Sequence, residues 1–597
     1  MQDHSTNTVT PARDVDKGDY GEHTEVEVAV DNTHVYEEEA EPELHARTWF
    51  AIAAFFLLNY TQVVALQGPT AVLNYIGTDL DNTRVQSWVV VVLSLVQGVL
   101  GPVISTASDT FQARKSLLVS SCAISFVGAC IAPGSNDIYR LIGANVLVGV
   151  GFASVPLAYA VPSEILPRRW RPMAQAGVNV AATLATISGP FMIGALTKRN
   201  PHTGWRLFYW FEAALWAATT FALLVGYQPP KRHTELDHLS FWRKIGRIDW
   251  VGCGLLTAGL SLFLASTSLG GGLYSWTDAT VLATMIIGLL ILVAFALYEW
   301  KGTKSGILNH DLFRGGRDQG RTFTLCVALL ALEAIMIFGY ALFYPIMSQV
   351  LFTTDPVLIV ARSQACWIPG LFSTLFWGYI STRFRTIREP LFIGFSLFTG
   401  GLIGLATVEP SQSASAIGFS CLVGFGLGAP LILAVTGVQL STPHRFIATA
   451  TACTTSARAI AGAVFSVIDT AAFNDRITKY LPQYVAKAAS AAGLPSSSLP
   501  GFIEALASGD HAALAQVPGV TPLVIAQGAR ALQQAYADSI RIVFIIAAPF
   551  GVVALVACWF LGDLKKTMNL HIDAPVEMVQ RTGPAEEEGA QNVKQMR

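Results

Sequence analysis

Fourteen apolar runs, separated by short polar segments, punctuate the chain. Each approaches the roughly 20 residues that a helix needs to cross a bilayer core of about 30 Å. The first seven lie near Trp49 to Gly68, Ser87 to Ala107, Ser116 to Pro133, Arg140 to Val161, Met173 to Ala195, Trp205 to Gly226 and Asp249 to Leu269. Seven more lie near Asp278 to Tyr298, Thr322 to Ile346, Val357 to Ile380, Pro390 to Val408, Ser415 to Thr436, Ile447 to Asp469 and Ser539 to Leu561. The pattern predicts an all-α polytopic membrane protein of fourteen spans. It divides into an N-terminal six-helix half over 47–226, a central segment over 227–321 with spans 7 and 8, and a C-terminal six-helix half over 322–562. The 69 residues from Thr470 to Asp538, between the last two spans, predict a small helical cap outside the membrane. Duplicated halves of this kind are common in transporters.

Composition agrees, with 52% hydrophobic and 13% charged residues against about 25% charged in soluble domains. Charge is unevenly spread: residues 1–46 hold 13 acidic and two basic side chains, whereas residues 47–562 hold 22 acidic and 32 basic. The first 46 residues lack the apolar stretch of a secretory signal and read as a disordered acidic tail. With both tails cytoplasmic, the inner loops carry 19 Lys/Arg and the short outer loops six. This asymmetry places both tails, 1–46 and 563–597, inside. All eight cysteines fall in apolar runs and suggest neither a disulfide framework nor a metal site. No phosphate-binding loop of the Gly-x-x-x-x-Gly-Lys-Ser/Thr type occurs, so energy must come from an ion or solute gradient.

The inner turn between spans 2 and 3 contains Asp109, Arg114 and Lys115, and the matching turn of the second half contains Arg383 and Arg385. Here the chain resembles the major facilitator superfamily, specifically its fungal 14-span drug:proton antiporter branch. Asp109, Arg114 and Lys115 match that family's first signature, whereas Ser105, Thr110 and Gln112 depart from it. The resemblance implies an altered gating relay of Asp109, Arg114, Lys115 and Arg383. Ala185-x-x-x-Gly189-Pro190-x-x-Ile193-Gly194 in span 5 resembles the antiporter signature, with Gly189, Pro190 and Gly194 as its characteristic residues. The long acidic front tail and the large loop before the last span resemble fungal trichothecene efflux pumps and siderophore-iron transporters. Asn145 stands where the family usually places Arg, and Ala65 where many drug antiporters place Asp.

Charges inside spans are costly, about 2.5–3.5 kcal/mol at mid-bilayer, and mark functional candidates. Glu333 lies halfway along span 9 and suits proton coupling; a structural carboxyl is the alternative. Arg458 in span 13 cannot shed its charge and needs a carboxylate, carbonyls or an anionic substrate group. Glu212 in span 6 is nearer the outer face, where a pair with Arg206 is within reach. Glu164 and Glu299 read as solvated pairs with Arg168 and Lys301. Trp88, Trp216, Trp367 and Trp377 are candidates for a cavity lining or for lipid contact.

These readings predict a monomeric proton-coupled efflux carrier for an amphipathic toxin, drug or secondary metabolite. Its partners are a small-molecule substrate, protons and the lipid bilayer, with no nucleic acid, cofactor or metal and no enzymatic activity. The plasma membrane is the expected location, with a vacuolar or vesicle membrane as the alternative. A siderophore-iron importer of the same fold and a transporter-like nutrient sensor are the competing functions.

Overall fold

A backbone in hydrocarbon must satisfy its own hydrogen bonds, and a helix does so within a single segment. In the computed structural model each apolar run forms such a helix. The structure describes residues 42–576 apart from 43, 84, 201, 230–240, 247–248, 271–273, 304–305, 307–310, 315 and 509–510. The front tail 1–41, residues 577–597, Arg84, Lys231, Arg232 and Arg247 lie outside the described residues.

Among the described residues, thirteen helices are long and apolar enough to cross a membrane. In the first half these are span 1 (Ala46–Thr70), span 2 (Trp88–Phe111), span 3 (Arg114–Gly134), span 4 (Ile138–Ile165), span 5 (Arg168–Arg199) and span 6 (Gly204–Gly226). Spans 7 (Trp250–Leu269) and 8 (Ala279–Gly302) follow. The second half holds span 9 (Gln319–Phe352), span 11 (Arg388–Ala406), span 12 (Ser413–Ser441), span 13 (His444–Ala491) and span 14 (Pro522–Trp559). Span 10, Pro356–Phe384, is a 29-residue helix that falls outside these thirteen. Gly424 and Gly428 of span 12 press against Cys366 and Ser373 of span 10 with no room for a side chain. Protein thus covers one side of span 10.

Spans 7 and 8 pack backbone to backbone, where a Cβ on Gly288 would stand 2.7 Å from the Phe263 nitrogen. Much of span 8, including Ile286, Leu289, Leu290 and Val293, is exposed. That apolar face suits lipid.

Three departures from a plain helix array bear on function. Span 4 is interrupted between Phe152 and Val155, and the Gly151 carbonyl at the break accepts from Gln62 of span 1 at 2.9 Å and from the Ser154 hydroxyl at 2.7 Å. Broken helices in membranes occur where such groups find protein partners. The turns after spans 2 and 10 each close on a left-handed residue, Gln112 (φ 54) and Arg385 (φ 55). The two halves therefore share a turn as well as an order of spans. Finally, span 13 continues as one helix to Ala491, about 67 Å at 1.5 Å per residue, well beyond a bilayer core. Its far end packs Val485 and Ala489 against Phe502, Leu514 and Val524, forming the helical cap with Leu499–Ser508 and His511–Gln516.

Candidate functional site

Glu333 and Arg458 meet across spans 9 and 13. Arg458 donates through Nε to Glu333 Oε2 at 2.7 Å and through a second nitrogen to Oε1 at 3.1 Å. Such two-pronged pairing suits the planar guanidinium. Glu333 is fully buried, whereas Arg458 keeps 31% of its side-chain surface accessible, so the pair has a dry side and an open side. The Tyr159 phenol of span 4 faces both charges and also Asn59 of span 1. Asn179 of span 5 lies 3.5 Å from the Tyr159 hydroxyl. The polar groups of both halves thus converge midway through the bundle, beside the Phe338 ring, whose centroid is 6.0 Å from the Arg458 guanidinium.

Toward the face where the described chain ends lie, a ladder of polar contacts joins the halves. Its deepest rung is Gln439 of span 12, which donates to the Tyr159 carbonyl at 3.2 Å and meets Gln175 of span 5 at 3.3 Å. Arg171 donates to the Gln439 carbonyl at 2.5 Å and to the Ser163 carbonyl at 3.0 Å. Asp109 accepts from Arg114 at 3.0 Å and, through its other oxygen, from the Thr449 backbone at 2.9 Å. That carboxylate caps the first turn of span 13, where negative charge is favourable. Spans 5 and 10 close the same face: a Cβ on Gly378 would stand 3.2 Å from the Pro172 carbonyl.

Residues 562–574 form a strap over this face. Leu561 and Leu564 belong to the second-half core, while Val576 packs into that of the first half. Asp573 accepts from Arg168 at 2.6 Å and also pairs with Arg171. Backbone hydrogen bonds run from Arg168 to His571 at 3.0 Å, from Arg169 to Asn569 at 2.8 Å and from Ala574 to Glu164 at 3.0 Å. Burial raises the proton affinity of Asp573, but the Arg168 hydrogen bond and the Arg171 and Arg168 charges outweigh it and hold its carboxyl below the usual range.

Several sequence expectations are corrected here. Glu164 is not a solvated partner of Arg168; it is fully buried against Arg114, with His444 at 3.8 Å. Glu299 is likewise buried. Glu212 does not pair with Arg206, which instead binds Asp79. Glu212 is sealed among first-half helices and accepts from Trp216 at 3.3 Å, away from Glu333 and Arg458. Trp216 and Trp377 are buried in helix packing, and Trp377 donates to the Phe425 carbonyl at 3.2 Å. Lys115 leaves the turn to donate to Gln228 at 2.8 Å, and Arg383 is exposed. In span 5, Gly189 lies 3.6 Å through its missing Cβ from the Gly68 nitrogen of span 1, Pro190 lies inside the helix, and Gly194 faces open space. Asn145 donates to the Val89 carbonyl at 2.8 Å and to Tyr209 at 3.3 Å, tying spans 2, 4 and 6 without a charge. Asp573 and Asp469 were not among the expected site residues. The first lies in a polar tail, and the second at the expected end of a span.

Helical halves with a polar centre and one face closed by polar contacts are the architecture of a transporter of the major facilitator fold. Solved structures share that fold at low identity. The proton:xylose symporter XylE aligns with a TM-score of 0.50 at 12% identity, over 87% of this chain and 97% of that one. The human organic anion transporter MFSD10 aligns with a TM-score of 0.50 at 11% identity, over 84% and 99%. The family model described as the fungal trichothecene efflux pump matches residues 38–587, and the chain belongs to that family, one of transporters and not enzymes. Similar relatives include the trichothecene efflux pump TRI12 of Trichoderma arundinaceum, 25% identical over 88% of this chain and 87% of that protein. The MFS-type efflux pump LUC4 of a Fusarium species is 24% identical over 90% and 92%.

Proposed function

We propose that this transporter is a proton-coupled efflux carrier for an amphipathic secondary metabolite of the trichothecene kind. We infer that it works as a monomer in the plasma membrane with both tails cytoplasmic. The observation that carries the reading is the Glu333–Arg458 pair, buried on one side and accessible on the other, at the meeting of the two halves. A paired carboxylate there has two partners competing for it, a proton and the guanidinium. Protonation of Glu333 would release Arg458, and the freed cation and neighbouring Tyr159, Asn59 and Asn179 would then meet a polar group of the solute. Apolar surface such as the Phe338 ring would hold its hydrocarbon part. The polar ladder at the tail face supports assigning this state as closed toward the cytoplasm. Gln439 of span 12 donates to Thr451 at 3.3 Å, and Thr451 lies seven residues before Arg458 on span 13, about 10 Å nearer that face at 1.5 Å per residue. Opening inward would then require Gln439, Arg171 and Asp109 to exchange partners.

The test is flux in proteoliposomes of purified protein, with a radiolabelled trichothecene as probe and the membrane potential clamped. An antiporter accumulates the probe in vesicles with an acidic lumen. Accumulation driven instead by an acidic exterior would establish symport, and indifference to the gradient would remove the proton from the cycle.

A further inference from the structure

The seam between spans 9 and 13 holds a second carboxylic acid. Eleven residues separate Arg458 from Asp469, three turns and about 20° at 3.6 residues per turn, so both project from nearly the same side of span 13. The two lie about 16 Å apart along the helix. On span 9, Glu333 and Gly339 are six residues apart, about 9 Å. Arg458 takes Glu333, while Asp469 nests at Gly339: a Cβ there would stand 2.8 Å from Asp469 Oδ2 and 3.1 Å from Val543 of span 14. Asp469 is 2% exposed, and its Oδ1 is buried without a hydrogen-bond partner among the described residues.

Between these two carboxyls stands an apolar partition. Gly462, one turn beyond Arg458, leaves space that the Phe338 ring fills, with a Cβ on Gly462 meeting that ring at 2.8 Å. The same ring lies 6.0 Å from the Arg458 guanidinium.

Charge counting then assigns a proton. From Thr322 to Val350 on span 9 and from Ile447 to Asn474 on span 13, the charged side chains are Glu333, Arg458 and Asp469. One guanidinium neutralises one carboxylate, and Glu333 already has it. An isolated ionised carboxylate in an apolar site costs far more than a neutral acid. Four other titratable groups on the packing elements are committed elsewhere, while Tyr536 of span 14 packs near Phe473 of span 13 with ring centroids 6.0 Å apart. Tyr340 is hydrogen-bonded to Ser420, and Tyr344 to the Ala416 carbonyl at 3.5 Å. On span 14, Arg541 is held by Asp538 at 3.1 Å and Glu409 at 3.0 Å, and Asp538 accepts from Tyr484 at 3.2 Å.

We propose that Asp469 is a second proton-binding carboxyl of the transport cycle, farther from the tail face than Glu333 and separated from it by the Phe338 ring. In the state described here the proton resides on Asp469 while Glu333 is held by Arg458. When solute or a rotation of the halves draws Arg458 away, the Asp469 O–H breaks and a Glu333 O–H forms. Water between the halves carries the proton, and Arg458 keeps its own. The proposal rests on Glu333 as the coupling carboxyl.

Two measurements test it on purified full-length protein. In infrared spectra at neutral pH, wild type minus Asp469→Asn should show the C=O stretch of a protonated acid, and wild type minus Glu333→Gln should lack it. In proteoliposomes with a labelled trichothecene and clamped potential, one pH unit supports about tenfold accumulation for each proton exchanged. Asp469→Asn should reduce this to parity while solute exchange at equal pH persists. Asp469→Ser, a second neutral replacement, should do the same, and Phe338→Ala should raise proton flux without solute. A missing infrared difference, or undiminished accumulation by Asp469→Asn, overturns the proposal. If Glu333→Gln loses the gradient response and Asp469→Asn keeps it, this proposal alone falls. If wild type shows no gradient response, the coupling role of Glu333 falls with it.

Discussion

Replacing Glu333 by Gln keeps the side chain's shape while removing its ability to exchange a proton, so folding and solute exchange should survive. Gradient-driven accumulation should be lost. Glu212→Gln provides the contrast, since Glu212 is buried beside Trp216 within the first half. It should leave accumulation unchanged, and a loss there would move the coupling site to span 6. Arg458→Ala differs again, because it strands a fully buried carboxylate. Removing one partner of a buried pair commonly costs about 3–5 kcal/mol, so abundance and thermal stability in detergent should fall. Arg458→Lys should restore only part of this, since an ammonium lacks the planar fork that engages both Glu333 oxygens. Full rescue by Lys would mean that only charge matters at this position.

At the level of elements, the strap formed by residues 562–574 and the cap beyond span 13 make opposite predictions. Asp573 holds Arg168 and Arg171 from a buried position, and its carboxyl is held below the usual range. A group with a lowered folded value contributes its stability above the unfolded value, about 3.9 for Asp, and loses it as pH falls through the folded value. The strap is therefore fully engaged at neutral pH and should release only in strong acid. Asp573→Asn removes charged hydrogen bonds worth about 1.5–3 kcal/mol each. Exchange of the Arg168, Arg169 and Ala574 amides should accelerate by about tenfold or more, and unchanged exchange would show that the backbone contacts suffice. The cap has its own core, in which Phe502 is fully buried against Gly528. Phe502→Ala should destabilise that region by about 3–5 kcal/mol, read as faster exchange in residues 485–524. Transport should persist, and its loss with the spans intact would make the cap part of the outer mouth.

On the scale of the molecule, the charge asymmetry and the even number of spans make one strong prediction. Epitopes at either terminus should be reached by antibody only after permeabilisation, and staining of intact cells would invert the arrangement. The ladder from Gln439 to Asp109 then lies toward the cytoplasm, with the cap outside.

Span positions were legible because membrane insertion depends on local apolarity, which a window of residues contains completely. Glu333 and Arg458 stand out as candidates on the same basis, since a charge in hydrocarbon is conspicuous wherever it occurs. Pairing was not legible: Glu333 and Arg458 are 125 residues apart, and nothing local tells which carboxylate answers which guanidinium. Glu164 looked like a partner for adjacent Arg168, yet packing brings Arg114 and His444 to it. Asp469 ended the apolar run and so read as a boundary, whereas the helix continues to Ala491 and leaves that carboxyl inside. Asp573 lay in a polar tail whose composition gives no hint that it crosses between the halves. Sequence by itself thus determined which segments enter the membrane and which charges need an explanation there, because solvation is a property of each segment. Tertiary structure alone decided their partners, because ion pairing and gating depend on distances between helices remote in the chain.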